Sequence, residues 1–113
     1  MIKLRNNYPN KKIYNFRPNH DRRRNFGEFQ VWDRYDRNEI WSLKIIEPER
    51  GKGYGTQMLS EFLQQWKSDK PLYLYVNKAN EIAIRLYEKV GFIIVGDYSR
   101  GAYAMQYMGG NAI

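Results

Sequence analysis

The run Arg50-Gly51-Lys52-Gly53-Tyr54-Gly55-Thr56 has residue types and spacing that suit one kind of chemistry, the binding of a phosphate. Before it come a short apolar run, Ile40 to Ile46, and a Glu47-Pro48-Glu49 turn. After it Met58, Leu59, Phe62, Leu63 and Trp66 recur at the one-face spacing of an amphipathic helix. A strand therefore passes through a glycine-rich turn into a helix, and unpaired N–H groups and the positive helix end converge on one spot. Gly53 and Gly55 are the positions expected to reach unusual backbone conformations or to let the chain approach a ligand closely. Arg50 and Lys52 add positive charge, although an ordinary solvated turn would also carry them.

Composition removes several alternatives. The chain has no cysteine and a single histidine, His20. Disulfides, a thiol nucleophile and a cysteine–histidine zinc site are excluded, a histidine triad is disfavoured, and no metal is assigned. A length of 113 residues suits one domain with one core. The sequence shows no apolar run near the length of a membrane span and no signal-peptide pattern, so a membrane role is not expected and a reducing cytoplasm fits. Charge is uneven. Residues 1–27 carry eight Lys or Arg and one acid, Asp21, while the rest of the chain balances, so the whole formal +7 lies in the first quarter. Such a segment is either a solvated tail or an attractor of RNA, an acidic protein face or a phosphorylated cofactor.

The elements that must position these residues are read in order. Met1 to Asn10 gives only a weak strand signal, and Lys11 to Phe16 a better one. Pro18 to Asn25 is an arginine-rich loop. Glu28 to Arg34 alternates, with Phe29 and Val31 on one face and Gln30 and Trp32 on the other. A polar turn, Tyr35 to Asn38, leads to the Ile40–Ile46 strand. After the first helix, Pro71 to Val76 is a near-continuous apolar strand. Asn80 is suited to cap a helix whose apolar stripe is Ile82, Ala83, Leu86, Tyr87 and Val90, and Gly91 stops it. Phe92–Val95 and Ala102–Met108 are the last strands. The pattern is an α/β (α+β) domain, β-β-β-α-β-α-β-β, with a mixed sheet of about six strands and two crossover helices. Residues 1–27 form a basic arm with one candidate strand, and 28–113 form the core.

Arg50-Gly51-Lys52-Gly53-Tyr54-Gly55 resembles the Arg/Gln-x-x-Gly-x-Gly/Ala signature of the GNAT superfamily of N-acetyltransferases. Asn80, Ala83, Leu86-Tyr87-Glu88-Lys89 and Gly91-Phe92 resemble that family's second conserved segment, one helix and one strand downstream. The resemblance covers about residues 28–108. It implies that acetyl-CoA is bound with its pyrophosphate on the N–H groups of Gly51 to Thr56, Tyr54 included. It also implies that the pantetheine arm pairs with the backbone around Ile45 and Ile46, near Asn80, which either touches the cofactor or only caps its helix. Tyr87 takes the position of the family's general acid. Glu39 matches the glutamate that the histone-acetyltransferase branch uses as base, and a dry cleft would raise its pKa. The alternatives are a core tyrosine, a solvated hairpin glutamate, and a water chain in place of a base.

The same resemblance implies a function: acetyl transfer from acetyl-CoA to an amine by direct attack on the thioester. The family's usual opening strand and two helices, which build much of the acceptor site, look reduced or absent. An open site suits a macromolecular acceptor such as a protein lysine, a protein N-terminus or an aminoacyl-RNA. If both helices cover one sheet face, the other exposes aromatics such as Trp32, Trp41, Tyr73 or Tyr75, which calls for a homodimer or a larger partner. The competing reading is a non-catalytic binding module on the same scaffold, acting through its basic arm on a protein or nucleic acid. A plain nucleic-acid-binding domain would explain the charge but neither motif.

Overall fold

The computed structural model of the protein describes residues 1–21 and 23–109. Arg22, part of the arginine-rich loop, and residues 110–113, the end of the expected core segment, lie outside the described residues. The chain starts with a hairpin: β1 (Ile2–Tyr8) pairs antiparallel with β2 (Lys11–Phe16) across Pro9-Asn10. Next come β3 (Gly27–Asp33) and β4 (Asn38–Ile45), also antiparallel neighbours. A single 3-10 turn, Glu47–Glu49, leads to the helix α1 (Tyr54–Gln65). Then follow β5 (Leu72–Asn77), the helix α2 (Glu81–Val90), β6 (Phe92–Ser99) and β7 (Ala102–Tyr107).

All seven strands belong to one sheet, ordered β1-β2-β3-β4-β5-β7-β6. Only the β4–β5 pair is parallel. The expected sheet of about six strands is thus present with one strand more, because residues 2–8 form a full edge strand. The strand signal there is weak because an edge strand buries little: Ile2 is buried, whereas Leu4 and Tyr8 are about half exposed. Residues 2–16, expected as a basic arm, are hydrogen-bonded into the sheet, and Phe16 is fully buried in its core. Between β1 and β2 there is a two-residue turn and no helix.

Both helices lie on one face. Tyr14 and Phe29, paired across β2 and β3, stack at 5.2 Å, and Phe62 of α1 meets Phe29 edge-on at 4.9 Å. Met58, Leu59 and Leu63 complete the buried stripe of α1, as its spacing predicts. On α2 the stripe is Ala83, Leu86, Tyr87 and Val90. Ile82, expected on it, is 84% exposed. It sits one position before Ala83, so it points about 100° away from the stripe in the first turn. Asn80 caps α2 by accepting from the Ala83 N–H at 3.2 Å, and Gly91, at φ 114°, ends it in the left-handed conformation. The helices pack against each other at Gly55, where a Cβ would stand 3.1 Å from Leu86 Cδ1.

At Gly27 the sheet and α1 come closest. A Cβ there would lie 2.7 Å from Ile45 Cδ1, 2.9 Å from the Lys44 carbonyl oxygen and 2.9 Å from Met58 Sδ. The Lys44 carbonyl belongs to the sheet ladder and cannot turn aside. Gly27→Ala should therefore destabilise the fold by roughly 1–3 kcal/mol through overpacking. Urea unfolding followed by circular dichroism checks this; an unchanged midpoint would contradict the close packing.

Candidate active site

The site begins with a strand that leaves its neighbour. Residues Asn38, Glu39 and Ile40 of β4 pair with Leu72, Tyr73 and Leu74 of β5, and there the pairing ends. Opposite Phe29 of β3, β4 carries an extra residue: Glu28 faces Lys44, but Gln30 faces Trp41. Ser42 in this bulge has φ 55°, the one positive value at a non-glycine among the described residues. A bulge bends its strand and strengthens its twist. After Ile40 the two parallel strands accordingly part, and a gap of about 220 Å³ opens, lined by Ile40, Trp41, Ser42, Leu43, Leu74, Tyr75 and Tyr87.

One end of β4 leads to the glycine turn. Gly51 and Gly53 have φ of 78° and 85°, conformations that favour glycine, and Gly53 caps α1 without any side-chain hydrogen bond. The first-turn N–H groups of α1 therefore stay open to a ligand. Gly55, expected to serve the turn's conformation or approach, has a packing role against Leu86. The Tyr54 ring is turned inward, edge-on to Phe26 at 5.1 Å, so that Tyr54 and Thr56 offer backbone to the turn. Arg50 Nε donates to the Ile45 carbonyl at 2.8 Å and ties the turn back to β4. Lys52 Nζ donates to Glu49 Oε1 at 2.9 Å, and Arg24 donates to the other oxygen at 2.8 Å. The Lys52 hydrogen bond, against some desolvation and with Arg24 assisting, holds Glu49 below the ordinary carboxylate range.

Ile45 and Ile46, expected together along the pantetheine arm, differ. The Ile46 N–H donates to the Phe26 carbonyl at 2.8 Å, toward β3. The Ile45 carbonyl is taken by Arg50 Nε, which leaves its N–H as the group it can offer. The Asn80 oxygen is committed to its helix cap.

Tyr87 projects from α2 into the gap, edge-on to Phe92 at 6.4 Å. Burial raises its pKa, so it keeps its proton at neutral pH. Glu39 is buried on the opposite, helix-free face. Its Oε1 accepts from Arg34 Nε at 3.0 Å and from Trp41 Nε1 at 2.9 Å, and its Oε2 accepts from the Tyr75 hydroxyl at 2.5 Å. Burial works to raise its pKa, but the hydrogen bonds from Tyr75, Trp41 and Arg34 outweigh it, and the net shift is downward. This reverses the expected raised pKa: the cleft is not a bare dry pocket but a set of donors. Tyr75, first by burial and then by its bond to Glu39, is pushed up to about 12. Tyr75 and Trp41, two of the donors to Glu39, line the same gap as Tyr87, whereas Glu39 itself does not line it. Trp41, Tyr75 and Tyr98 pack together, with Tyr75 and Tyr98 centred 4.1 Å apart. Arg34, Tyr75 and Tyr98 were not among the predicted site residues; the alternation of Leu72 to Val76, which turns both tyrosines of β5 to one face, is the signal that marks Tyr75.

The sequence profile of the acetyltransferase (GNAT) family matches residues 14–92. The chain belongs to that family. Solved acetyltransferases share its fold. PaiA N-acetyltransferase from Thermoplasma acidophilum, in complex with coenzyme A, is 18% identical with TM-score 0.67, over 87% of this chain and 60% of that one. A spermidine N-acetyltransferase chimera of Vibrio cholerae SpeG and hSSAT is 18% identical with TM-score 0.73, over 88% and 69%. The ribosomal-protein alanine N-acetyltransferase of Escherichia coli is 17% identical with TM-score 0.70, over 95% and 76%. The chain thus spans about 60 to 76% of the length of these GNAT structures. No curated protein matches the sequence. Among the described residues no helix is long and apolar enough to cross a membrane.

The residues fit the family's donor. The left-handed glycines and open N–H groups of the turn suit a pyrophosphate, and the unpaired edge of β4 beyond Ile40 suits an amide-bearing arm. Because the Glu39 pKa is lowered, its hydrogen bonds stabilise the fold in full above the ordinary value of 4.5 and lose that contribution as pH falls through the folded value. Carbon-detected NMR titration should place the Glu39 midpoint below 4.5; a midpoint above it would contradict the three-donor arrangement.

Proposed function

We propose that this GNAT domain is an N-acetyltransferase that passes the acetyl group of acetyl-CoA to a primary amine carried on a macromolecule. The observation that carries this reading is the gap between β4 and β5, which opens on the strand that leads to the glycine turn and has Tyr87 on its wall. Acetyl-CoA when bound supplies an activated acyl group on a thiolate leaving group. Gly51 to Thr56 hold the pyrophosphate with backbone N–H groups, and Arg50 and Lys52 add charge beside it. Ile45 offers its N–H to the pantetheine arm, Ile46 flanks it, and the Asn80 amide nitrogen stands at the mouth of the second helix.

The chemistry needs two proton movements. The attacking amine must be neutral, so its ammonium first gives a proton to water. As the new C–N bond forms and the C–S bond breaks, Tyr87 gives its phenol proton to the departing sulfur and recovers, through water, the proton that the attacking nitrogen sheds. Its raised pKa keeps it in the acid form that this role needs. Glu39 is a poor base at its lowered pKa. Three donors occupy three of about four acceptor positions on a carboxylate. The remaining one orients the incoming ammonium, with water as the proton exit.

The two-residue Pro9-Asn10 turn supports a large acceptor. The helices that wall the acceptor site elsewhere in the family have no counterpart between β1 and β2, so little encloses a small free amine. A protein lysine, a protein N-terminus or an aminoacyl-RNA brings its own surface to that opening. Docking there covers the aromatic face of the sheet. A cytoplasmic setting, where acetyl-CoA is made and used, fits the cysteine-free sequence.

Calorimetric titration should show acetyl-CoA binding to the wild type. Gly53→Glu should abolish it, because φ 85° strains any side chain there and the new carboxylate repels the pyrophosphate. With an amine acceptor, Tyr87→Phe should lower kcat roughly 10²- to 10⁴-fold with little change in acetyl-CoA affinity. Binding without turnover in the wild type would favour the competing reading, a cofactor-binding module. Absence of binding would remove the enzyme altogether.

A further inference from the structure

The helix-free face of the sheet carries an ordered row of side chains of which the proposed acetyl transfer uses only Glu39. Strand register places Tyr8, Lys11, Trp32, Glu39 and Tyr73 side by side across the first five strands. Rings alternate with charged groups along it, and the Tyr8, Trp32 and Tyr73 rings recur at every second strand, about 10 Å apart by strand spacing. Cations lie over these rings: Lys11 Nζ is 5.3 Å from the Tyr8 ring centre and 4.8 Å from that of Trp32. Arg34 lies 4.8 Å over Trp32, and Arg37 lies 4.4 Å over Tyr73. Tyr98, 56% exposed, stands at the far side of Trp41 and Tyr75. Two carboxylates share this face: Glu39 has three of its acceptor positions taken by Arg34, Trp41 and Tyr75, and exposed Asp36 pairs with Arg37 at 3.2 Å. No helix covers this face, since both pack on the other.

We propose that this face binds single-stranded RNA, its bases stacking on the exposed Tyr8 and Tyr98 and on the ring–guanidinium layers between them, its phosphates meeting Lys11, Arg34 and Arg37. Charge complementarity selects this occupant. Flat rings interleaved with cations are what a single strand needs, because every base has a stackable face and every linkage a negative charge. A duplex hides its base faces, and the single-stranded form is an ordinary state of RNA. A second copy of the chain fits less well, because two-fold pairing of this face would bring Lys11, Arg34 and Arg37 of one copy toward the same cations of the other. An acidic protein would satisfy the cations but leave the rings without partners. The proposal does not rest on acetyl transfer.

Fluorescence anisotropy with a labelled single-stranded RNA of about 12 nucleotides, within the site sizes of such platforms, tests it on the full chain. Saturable binding is expected at low salt, weaker to a duplex of the same sequence. Tyr98→Ala and, at the other end of the row, Tyr8→Ala should each weaken it roughly fivefold or more, while Tyr98→Phe keeps the stack and the affinity. Arg37→Gln should reduce the salt dependence. Circular dichroism of each variant separates lost binding from lost folding. Lack of saturable binding by the wild type overturns the proposal. So does equal affinity in Tyr98→Ala and Tyr8→Ala, or equal affinity for duplex. If acidic poly-glutamate competes for binding and shows the same dependence on Tyr98, the face is an acidic-protein site. If sedimentation shows a dimer that Tyr98→Ala dissociates, the occupant is a second copy. Acetyl-CoA titration of Tyr8→Ala, at the end of the row away from the gap, should be unchanged, so failure of RNA binding and failure of the donor site are told apart.

Discussion

The parting of β4 from β5 after Ile40 is the constraint on which the rest of the site depends. Two parallel strands joined throughout would leave no room for a ligand and would bury every backbone group of both edges. The extra residue at Ser42–Leu43 prevents this: it bends β4 while the strand stays paired with β3. Three things follow from that bend. An edge of unpaired backbone faces the gap, Tyr87 gains a cavity to project into, and the end of β4 is aimed at the start of α1. The left-handed conformation of Ser42 is sparsely populated for a residue with a Cβ and is held there by ladder pairing on both sides.

Electrostatics divide the two faces of this wedge. On the helix side Tyr87 is surrounded by apolar groups, and burial alone moves its proton affinity upward. On the bare side Glu39 is buried as well, yet it moves the other way, because three hydrogen-bond donors converge on it. Burial thus decides the direction at Tyr87, and converging donors decide it at Glu39. The neutral phenol and the fixed carboxylate are separated by the strands themselves, and Tyr75 and Trp41 connect them.

The legible parts of this chain were those whose information is local. The glycine turn and both helices are written in consecutive residues, as is the cap at Asn80, and each was read at its place. The strand edges moved by one or two residues where pairing, not residue type, sets the end, as at Asn38, and by four at the end of β6, which pairs with β7 as far as Ser99 instead of stopping at Val95. The surroundings of Glu39 were not legible. Its donors come from the β3–β4 turn, from β4 itself and from Tyr75, 36 residues further on, and only the register of the sheet brings them together. The bulge was hidden for a related reason: Ser42 is neither glycine nor asparagine, so nothing in its type announces a positive φ. The first strand was faint because an edge strand needs few apolar residues. Ile82 misled because an isoleucine beside a stripe looks like part of it.

The Pro9-Asn10 turn also changes how the chain assembles. With two residues in place of a long connection, β1 and β2 close as a tight hairpin, and β3 and β4 close as another across Arg34–Arg37. Every pairing in the first four strands therefore joins neighbours in sequence, which is the cheapest kind of loop to close. The distant contacts are left to the second half, where β5 must find β4 across α1 and β7 must insert between β5 and β6. Contact order is thus concentrated at the parallel seam, the place that ends up open in the folded protein. The seam that carries the fewest ladder pairs is the one at which the ligand gap lies.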